Sequence, residues 1–219
     1  MSIFILIAVI LYTITIHEYS HGWMAHKLGD NTAYLAGRLT LNPISHLDLV
    51  GTLMFIFLHF GYAKPVPVNA MNFKNPKKDM MLVGIAGPFS NLISALGFGF
   101  IFRILSGNEI ILSNPNYFFV LQLLAAAIIL NLAIAVFNIL PIFPLDGSHI
   151  LKGLLPAELA YKYNLYNRQF MFILIAIIAI SIIAGIPILG FLVWPPVNIL
   201  AKLFSGVSLH TLEQILALH

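Results

Sequence analysis

The stretch TIHEYSHGW covers residues 15–23 and lies inside an apolar run that begins at Met1. His17, Glu18 and His21 are three ionisable side chains at what reads as membrane depth. A charge near the bilayer centre costs roughly 2.5–3.5 kcal/mol on insertion scales, so such groups mark function by default. On a helix, residues four apart lie one above the other on the same face. His17 and His21 can therefore aim two imidazole nitrogens at one ion. Glu18 sits about 100° around the helix from His17, within reach of a water on that ion. This is the H-E-x-x-H arrangement, with two zinc ligands and a general base.

The rest of the composition agrees with a membrane setting. Of 219 residues, 60% are hydrophobic and 9% are charged, against about 25% charged in a soluble domain. The chain reads as a polytopic membrane protein. Its length suits one membrane-embedded domain over residues 1–219, with no internal repeat, low-complexity tract or long polar linker. A net charge of +3 calls for no nucleic-acid partner. There is no cysteine, so a metal would have to be held by His, Asp, Glu or water. The N-terminus lacks the basic start of a cleaved signal peptide.

A first helix is predicted from about Ser2 to Lys27, stopped by KLGD. AGRLTLN, residues 36–42, alternates and reads as a short strand or hairpin arm, and VPV, residues 66–68, as a second extended piece. Apolar helices are predicted over Met80–Leu105, Tyr117–Leu140 and Phe170–Ile186. Pro195 and Pro196 break the apolar tail Pro187–Phe204, which spans as two half-helices or folds back. SLHTLEQILALH, residues 208–219, reads as a short surface helix. The expected fold is an all-α polytopic helical bundle with a small membrane-associated β element and a re-entrant segment.

The re-entrant segment is Leu49–Tyr62, whose apolar part is short for a span of roughly 20 residues. If TIHEYSHGW must meet PLDG at residues 144–147, an even number of crossings separates them. Met80–Leu105 and Tyr117–Leu140 supply two, so Leu49–Tyr62 is expected to dip rather than cross. In that scheme Lys27, Arg38, Lys64, Lys74, Lys77, Lys78, Lys152, Lys162 and Arg168 share one side, with Arg103 near the other. The positive-inside rule makes the basic side cytosolic. The N-terminus is then outside, and the site faces the cytosolic leaflet, most simply of the cell membrane.

Two histidines leave a third protein ligand to find. Asp146, His149, Asp48, His46 and His59 are candidates. Asp146 is best placed, because it follows PIFP at a helix end and precedes Gly147, although Asp-Gly is also a common turn pair. His149 is the runner-up. His26, His210 and His219 read as solvated.

HEYSH in one membrane helix, GIAGPFSN in a later one and NILPIFPLDGSHIL in a third resemble the site-2 protease family of intramembrane zinc metalloproteases. Asn138 to Gly147 matches the family pattern N-x-x-P-x-x-P-L-D-G. The resemblance covers Thr15 to Ile150 and is to the minimal form, without PDZ or CBS modules. It implies one zinc per chain, bound by His17, His21 and Asp146 with water completing the site, and Glu18 as general base and acid. It implies that Asn138 holds the substrate backbone or the developing oxyanion. Asn91 in GPFSN joins Asn138 as a substrate or oxyanion residue, or belongs to a close-packed helix face with Gly84 and Gly87.

Substrates are then transmembrane proteins or signal-peptide remnants with a single span, met within the lipid bilayer. An unwound substrate would pair with an enzyme strand, for which AGRLTLN is the candidate and AKPVPVN the opposite clamp. Ser148 and His149 would line a water path to the metal. A membrane metal-ion transporter is the alternative, since buried ionisable groups also mark ion pathways. A haem protein is a third reading, disfavoured by two histidines on one helix face.

Overall fold

The computed structural model describes residues 2–58, 61–107 and 115–217. Helix α1 spans Ile3–Lys27, and the Ser2 side chain accepts from Phe4 N at its start. Gly29, at φ +106°, turns the chain out of the helix. The order continues with α2 (Thr32–Leu35), α3 (Leu49–Leu58), α4 (Pro76–Ser106), α5 (Pro115–Ile139) and α6 (Asp146–Leu154). It closes with α7 (Ala157–Leu165), α8 (Asn167–Ala184), α9 (Gly190–Ser205) and α10 (Leu209–Ala217). Short 3-10 turns occupy Pro43–His46 and Ala70–Asn72.

Helices α1, α4, α5 (over Phe118–Ile139) and α8 are long and apolar enough to cross a membrane. Helices α9 and α10, bent by 82° at their junction, add a fifth crossing if the pair acts as one span. This makes the chain an integral membrane protein. Helix α5 is the axis of the bundle. Its Ala125, Ala126 and Ala127 are buried, and small side chains let neighbouring backbones come close where lipid offers no hydrophobic drive to association. Ile5 and Val9 of α1 pack on Ala126 and Ala127. On the other side Ala95 and Phe102 of α4, Val197 of α9 and Leu212 of α10 form one cluster with Ile128 and Leu132. Helix α8 is peripheral, with 6% of its apolar window buried against 56% for α5.

The expected β element is not there. Among the described residues there is no strand. The N–H groups of Gly37, Arg38 and Asn42 are spent locally instead. Gly37, at φ +65°, donates to Tyr34 O, and Arg38 N donates to Ala33 O. Asn42 N is bound by Thr40 Oγ1, and Asn42 Oδ1 takes Ile44 N. Across the gap, Pro65 and Pro67 have no N–H to give a ladder. Arg38 Nη2 to Lys64 O at 2.8 Å links the two segments, and Lys64 N goes to His46 O at 2.9 Å in the 3-10 turn that follows the first. Alternation over seven residues was real, but it had no partner with donors at the right period.

Helix α3 has ten residues, a rise of about 15 Å, half of a hydrocarbon core of about 30 Å. The chain doubles back after it. A Cβ on Gly51 would lie 3.0 Å from the Tyr62 carbonyl carbon. The tail expected to break at its prolines runs through Pro195 and Pro196 as continuous helix, and the break comes later, at Gly206 (φ +83°). The terminal helix expected at the surface instead buries Leu209 and Leu212 in the α5 cluster.

Candidate metal centre

His17 and His21 lie on the inner face of α1, both buried. Asp146 opens α6, and its side chain retains 18% of its exposure. The chain arrives there through the tight segment after α5. Gly147 is obligatory at that point, because a Cβ on it would run into the Ile139 and Leu140 carbonyls that end α5. Two glycines of α4 make the opposite wall. A Cβ on Gly84 would lie 3.1 Å from Asp146 O and from His149 Cβ. A Cβ on Gly87 would lie 2.6 Å from His21 Cε1 and 2.8 Å from His17 Cε1. The GIAGPFSN stretch is thus a close-packed face, and what it admits is the two imidazoles and the start of α6.

Three atoms converge. His17 Nε2 is 3.1 Å from His21 Nε2, and Asp146 Oδ2 is 3.1 Å and 3.3 Å from them. A tetrahedral site with bonds of about 2.0–2.1 Å has ligand–ligand edges of roughly 3.3–3.4 Å. Tautomers decide what the convergence means. His17 Nδ1 faces Asn91 Oδ1 at 2.6 Å, and His21 Nδ1 faces the Val83 carbonyl at 2.7 Å. Both partners can only accept, so both Nδ1 atoms carry hydrogen. In their neutral form the rings then turn two Nε2 lone pairs toward a carboxylate oxygen. Asp146 Oδ2 is itself buried without a hydrogen-bond donor. Three lone pairs converging in this way form a donor set that a cation can occupy, and nitrogen-plus-carboxylate ligands with their outer nitrogens held this way suit zinc.

The other residues singled out in the sequence sit as follows. Glu18 is half-buried, and its Oε2 accepts from Val66 N at 2.9 Å. Asn138 lies in the last turn of α5, with its amide nitrogen on Ile134 O at 3.0 Å. Asn91 is fully buried, with Oδ1 on His17 and Nδ2 on Thr13 O and Asn131 Oδ1. That places it behind the histidine rather than on an open substrate face. His149 packs beside Gly84 and outside the three-ligand cluster. Burial, with Lys152 adding to it, pushes its imidazole down to about 4. Ser148 Oγ is buried without a partner. His46 is buried, held to Thr40 O at 2.8 Å. Asp48 binds Gly51 N at 2.9 Å at the start of α3. His26 and His210 are exposed, and His59 and His219 fall outside the described residues.

Sequence reading missed four partners. Two are backbone groups, the Val83 carbonyl and the Val66 amide, and carry no residue-type signal. The other two are Thr13 and Asn131. Asn131 is a lone amide in the apolar run LLAAAIILNLAIA, and that isolation was the signal available.

Comparison with known proteins agrees with this geometry. The profile of Peptidase family M50 matches residues 5–184, and the chain belongs to that family, the site-2 protease family its motifs resemble. The fold, the ligand cluster and the family together define a membrane-embedded zinc metalloprotease. The chain is 37% identical over 209 residues to the candidate zinc metalloprotease YwhC of Bacillus subtilis, covering 92% of this chain and 91% of that one. It is 28% identical over 157 residues to the zinc metalloprotease MJ0392 of Methanocaldococcus jannaschii, covering 72% of this chain and 36% of the relative. No solved structure matches the chain.

Proposed function

We propose that this chain is an intramembrane endopeptidase of the site-2 type, cutting peptide bonds within or near the membrane segments of single-span proteins or signal-peptide remnants. One observation carries the reading: His17 Nε2, His21 Nε2 and Asp146 Oδ2 meet with their lone pairs at 3.1–3.3 Å, walled by membrane helices. These three would hold the zinc. When bound there, zinc lowers the pKa of a water toward about 7 and polarises the scissile carbonyl.

The remaining work belongs to the chain. Glu18, one residue along α1 from His17, takes the proton of the attacking water and delivers it to the leaving amine. The Val66 amide orients its carboxylate by fixing Oε2. Asn91 holds the His17 ring in the Nδ1–H form. Asn138, at the end of α5 and next to the turn that delivers Asp146, binds the substrate backbone or the developing oxyanion. Helices α1, α4 and α5 keep bulk water from the site. The cluster lies toward the C-terminal half of α1, and the basic loops support a reading in which the site faces the cytosolic leaflet of the cell membrane with the N-terminus outside. Residues 1–219 act as one membrane-embedded unit.

The test uses detergent-purified protein, wild type and Glu18→Gln, with zinc quantified and cleavage followed on a panel of single-span substrates. The expected result is one zinc per chain in both and cleavage in the wild type alone. Cleavage indifferent to Glu18, or a wild type that binds no zinc, overturns the reading.

A further inference from the structure

Three polar side chains lie fully buried where three helices of the bundle meet: Thr13 of α1, Asn91 of α4 and Asn131 of α5. A membrane interior gives such groups no water, so each must be satisfied by its neighbours. Their hydrogen bonds run in one direction. Asn131 Nδ2 donates to the Ala127 carbonyl at 2.8 Å and to Thr13 Oγ1 at 3.0 Å, which uses both of its hydrogens. That turns Asn131 Oδ1 toward α4, where it accepts from Asn91 Nδ2 at 2.9 Å. The second hydrogen of Asn91 Nδ2 goes to the Thr13 carbonyl at 3.1 Å. Asn91 Oδ1 is then left facing His17 Nδ1 at 2.6 Å.

The polarity of this chain is set at its far end. The Ala127 carbonyl can only accept, so it fixes which end of the Asn131 amide faces it. Reversing Asn131 would bring oxygen against the Ala127 oxygen and bring its NH2 against the NH2 of Asn91. Reversing Asn91 would bring its oxygen against both the Thr13 carbonyl and Asn131 Oδ1. A reversed Asn91 would offer His17 a donor, and His17 would answer with an Nδ1 lone pair and an Nε2–H pointed at Asp146. That tautomer cannot ligate through Nε2.

We propose that Asn131 is a positioning residue for the metal centre, which, with Thr13, locks the Asn91 amide so that His17 presents a bare Nε2 to the metal. Asn131 touches neither the metal nor substrate and acts only through Asn91. The inference rests on the metal reading of His17, not on peptide cleavage, so the two can fail separately.

Asn131→Leu and Asn131→Asp test it. Leucine removes the acceptor that Asn91 needs, while an aspartic side chain, kept neutral by the apolar interior, holds an acceptor oxygen toward Asn91 and donates its O–H to the Ala127 carbonyl. Each full-length protein is purified in detergent with 15N-labelled histidine. Zinc affinity is measured by chelator competition, and the His17 tautomer is read from its imidazole 15N resonances. Partners of metal-bound histidines typically contribute 10–100-fold in metal affinity. Because the Thr13 carbonyl still holds Asn91, Asn131→Leu should lie at the low end, about tenfold weaker, with an Nε2–H form of His17 appearing in the zinc-free protein. Asn131→Asp should stay near wild type in both readouts. Wild-type affinity and a pure Nδ1–H His17 in Asn131→Leu would overturn the proposal. So would equal losses in both variants, because a purely structural role does not distinguish an acceptor from a methyl group.

Discussion

Asp146 Oδ2 lies 3.1 Å from His17 Nε2 and 3.3 Å from His21 Nε2, an arrangement that joins the start of α6 to the C-terminal half of α1. Truncation of the carboxylate removes one of the three proposed ligands. Asp146→Ala should lose zinc at least 100-fold in affinity, above the 10–100-fold typical of an outer partner. His149→Ala, which leaves the three-atom cluster intact, should keep it. Chelator competition on the two variants separates them, and loss in His149→Ala with zinc retained in Asp146→Ala would mean that His149 and not Asp146 completes the site.

The glycines of α4 grade the tightness of the wall. A Cβ on Gly87 would press on both imidazoles at 2.6 Å and 2.8 Å, and neither ring can retreat while its Nδ1 is tied. Gly87→Ala is expected to lower zinc affinity by about 100-fold, as when a ring is pulled from its orienting partner. A Cβ on Gly84 meets neighbours at 3.1 Å and one on Gly97 meets nothing within 4 Å. Gly84→Ala should therefore be milder and Gly97→Ala neutral. The order 97, 84, 87 in zinc retention, from most to least, is the result to look for, and any other order counts against this packing.

Val66 offers a prediction that separates binding from turnover. Its N–H, the donor between two prolines, holds Glu18 Oε2 at 2.9 Å. Val66→Pro deletes that donor, and Val66→Ala keeps it. A hydrogen bond to a charged group contributes about 1.5–3 kcal/mol. Cleavage by Val66→Pro should drop about tenfold or more with zinc content unchanged, while Val66→Ala should cleave close to the wild-type rate. Loss of zinc in Val66→Pro would show instead that the segment supports the metal site itself.

Asp30 predicts a pH dependence of stability. The residue is shielded from solvent, and burial on its own would raise its carboxyl. Bonds from Thr32 Oγ1 and N, Asn69 N and Asn72 Nδ2 outweigh burial and hold it below the ordinary value. A depressed folded value gives stability that is complete above the unfolded value, near 4, and fades as pH falls toward the folded one. Asp30→Asn should destabilise by about 1–3 kcal/mol at pH 7, with the gap to wild type closing below about pH 4. Thermal unfolding in detergent from pH 7 to 3 measures it; a gap independent of pH would assign the loss to packing.

The helices were readable because membrane spans announce themselves by length and apolarity, and the four long apolar segments appear within a few residues of their expected ends. Within Leu49–Tyr62, expected to dip rather than cross because its apolar part is short for a span, the structure forms the ten-residue helix α3. The β element was misread. Period-two alternation in AGRLTLN says that a strand is possible, but a strand exists only through its partner, and Pro65 and Pro67 withhold the donors. The terminal helix was misplaced for a related reason: its amphipathic pattern shows that one face seeks burial, not that α5 supplies the surface.

The site divides in the same way. HEYSH on a helix specifies two nitrogens and a carboxylate by covalent spacing alone, and residues 15–23 by themselves determine that much. The residue that closes the cluster was a choice among Asp146, His149, Asp48, His46 and His59 until motif resemblance favoured Asp146. Only the tertiary structure brings Asp146 Oδ2 to both Nε2 atoms and leaves His149 beside Gly84. It alone reveals that Asn91 stands behind His17 and that the Val66 amide stands over Glu18. Spacing along a helix is a local property, carried by every copy of the sequence. Which acceptor faces which donor across three helices depends on how α1, α4 and α5 pack, and no residue type encodes that singly.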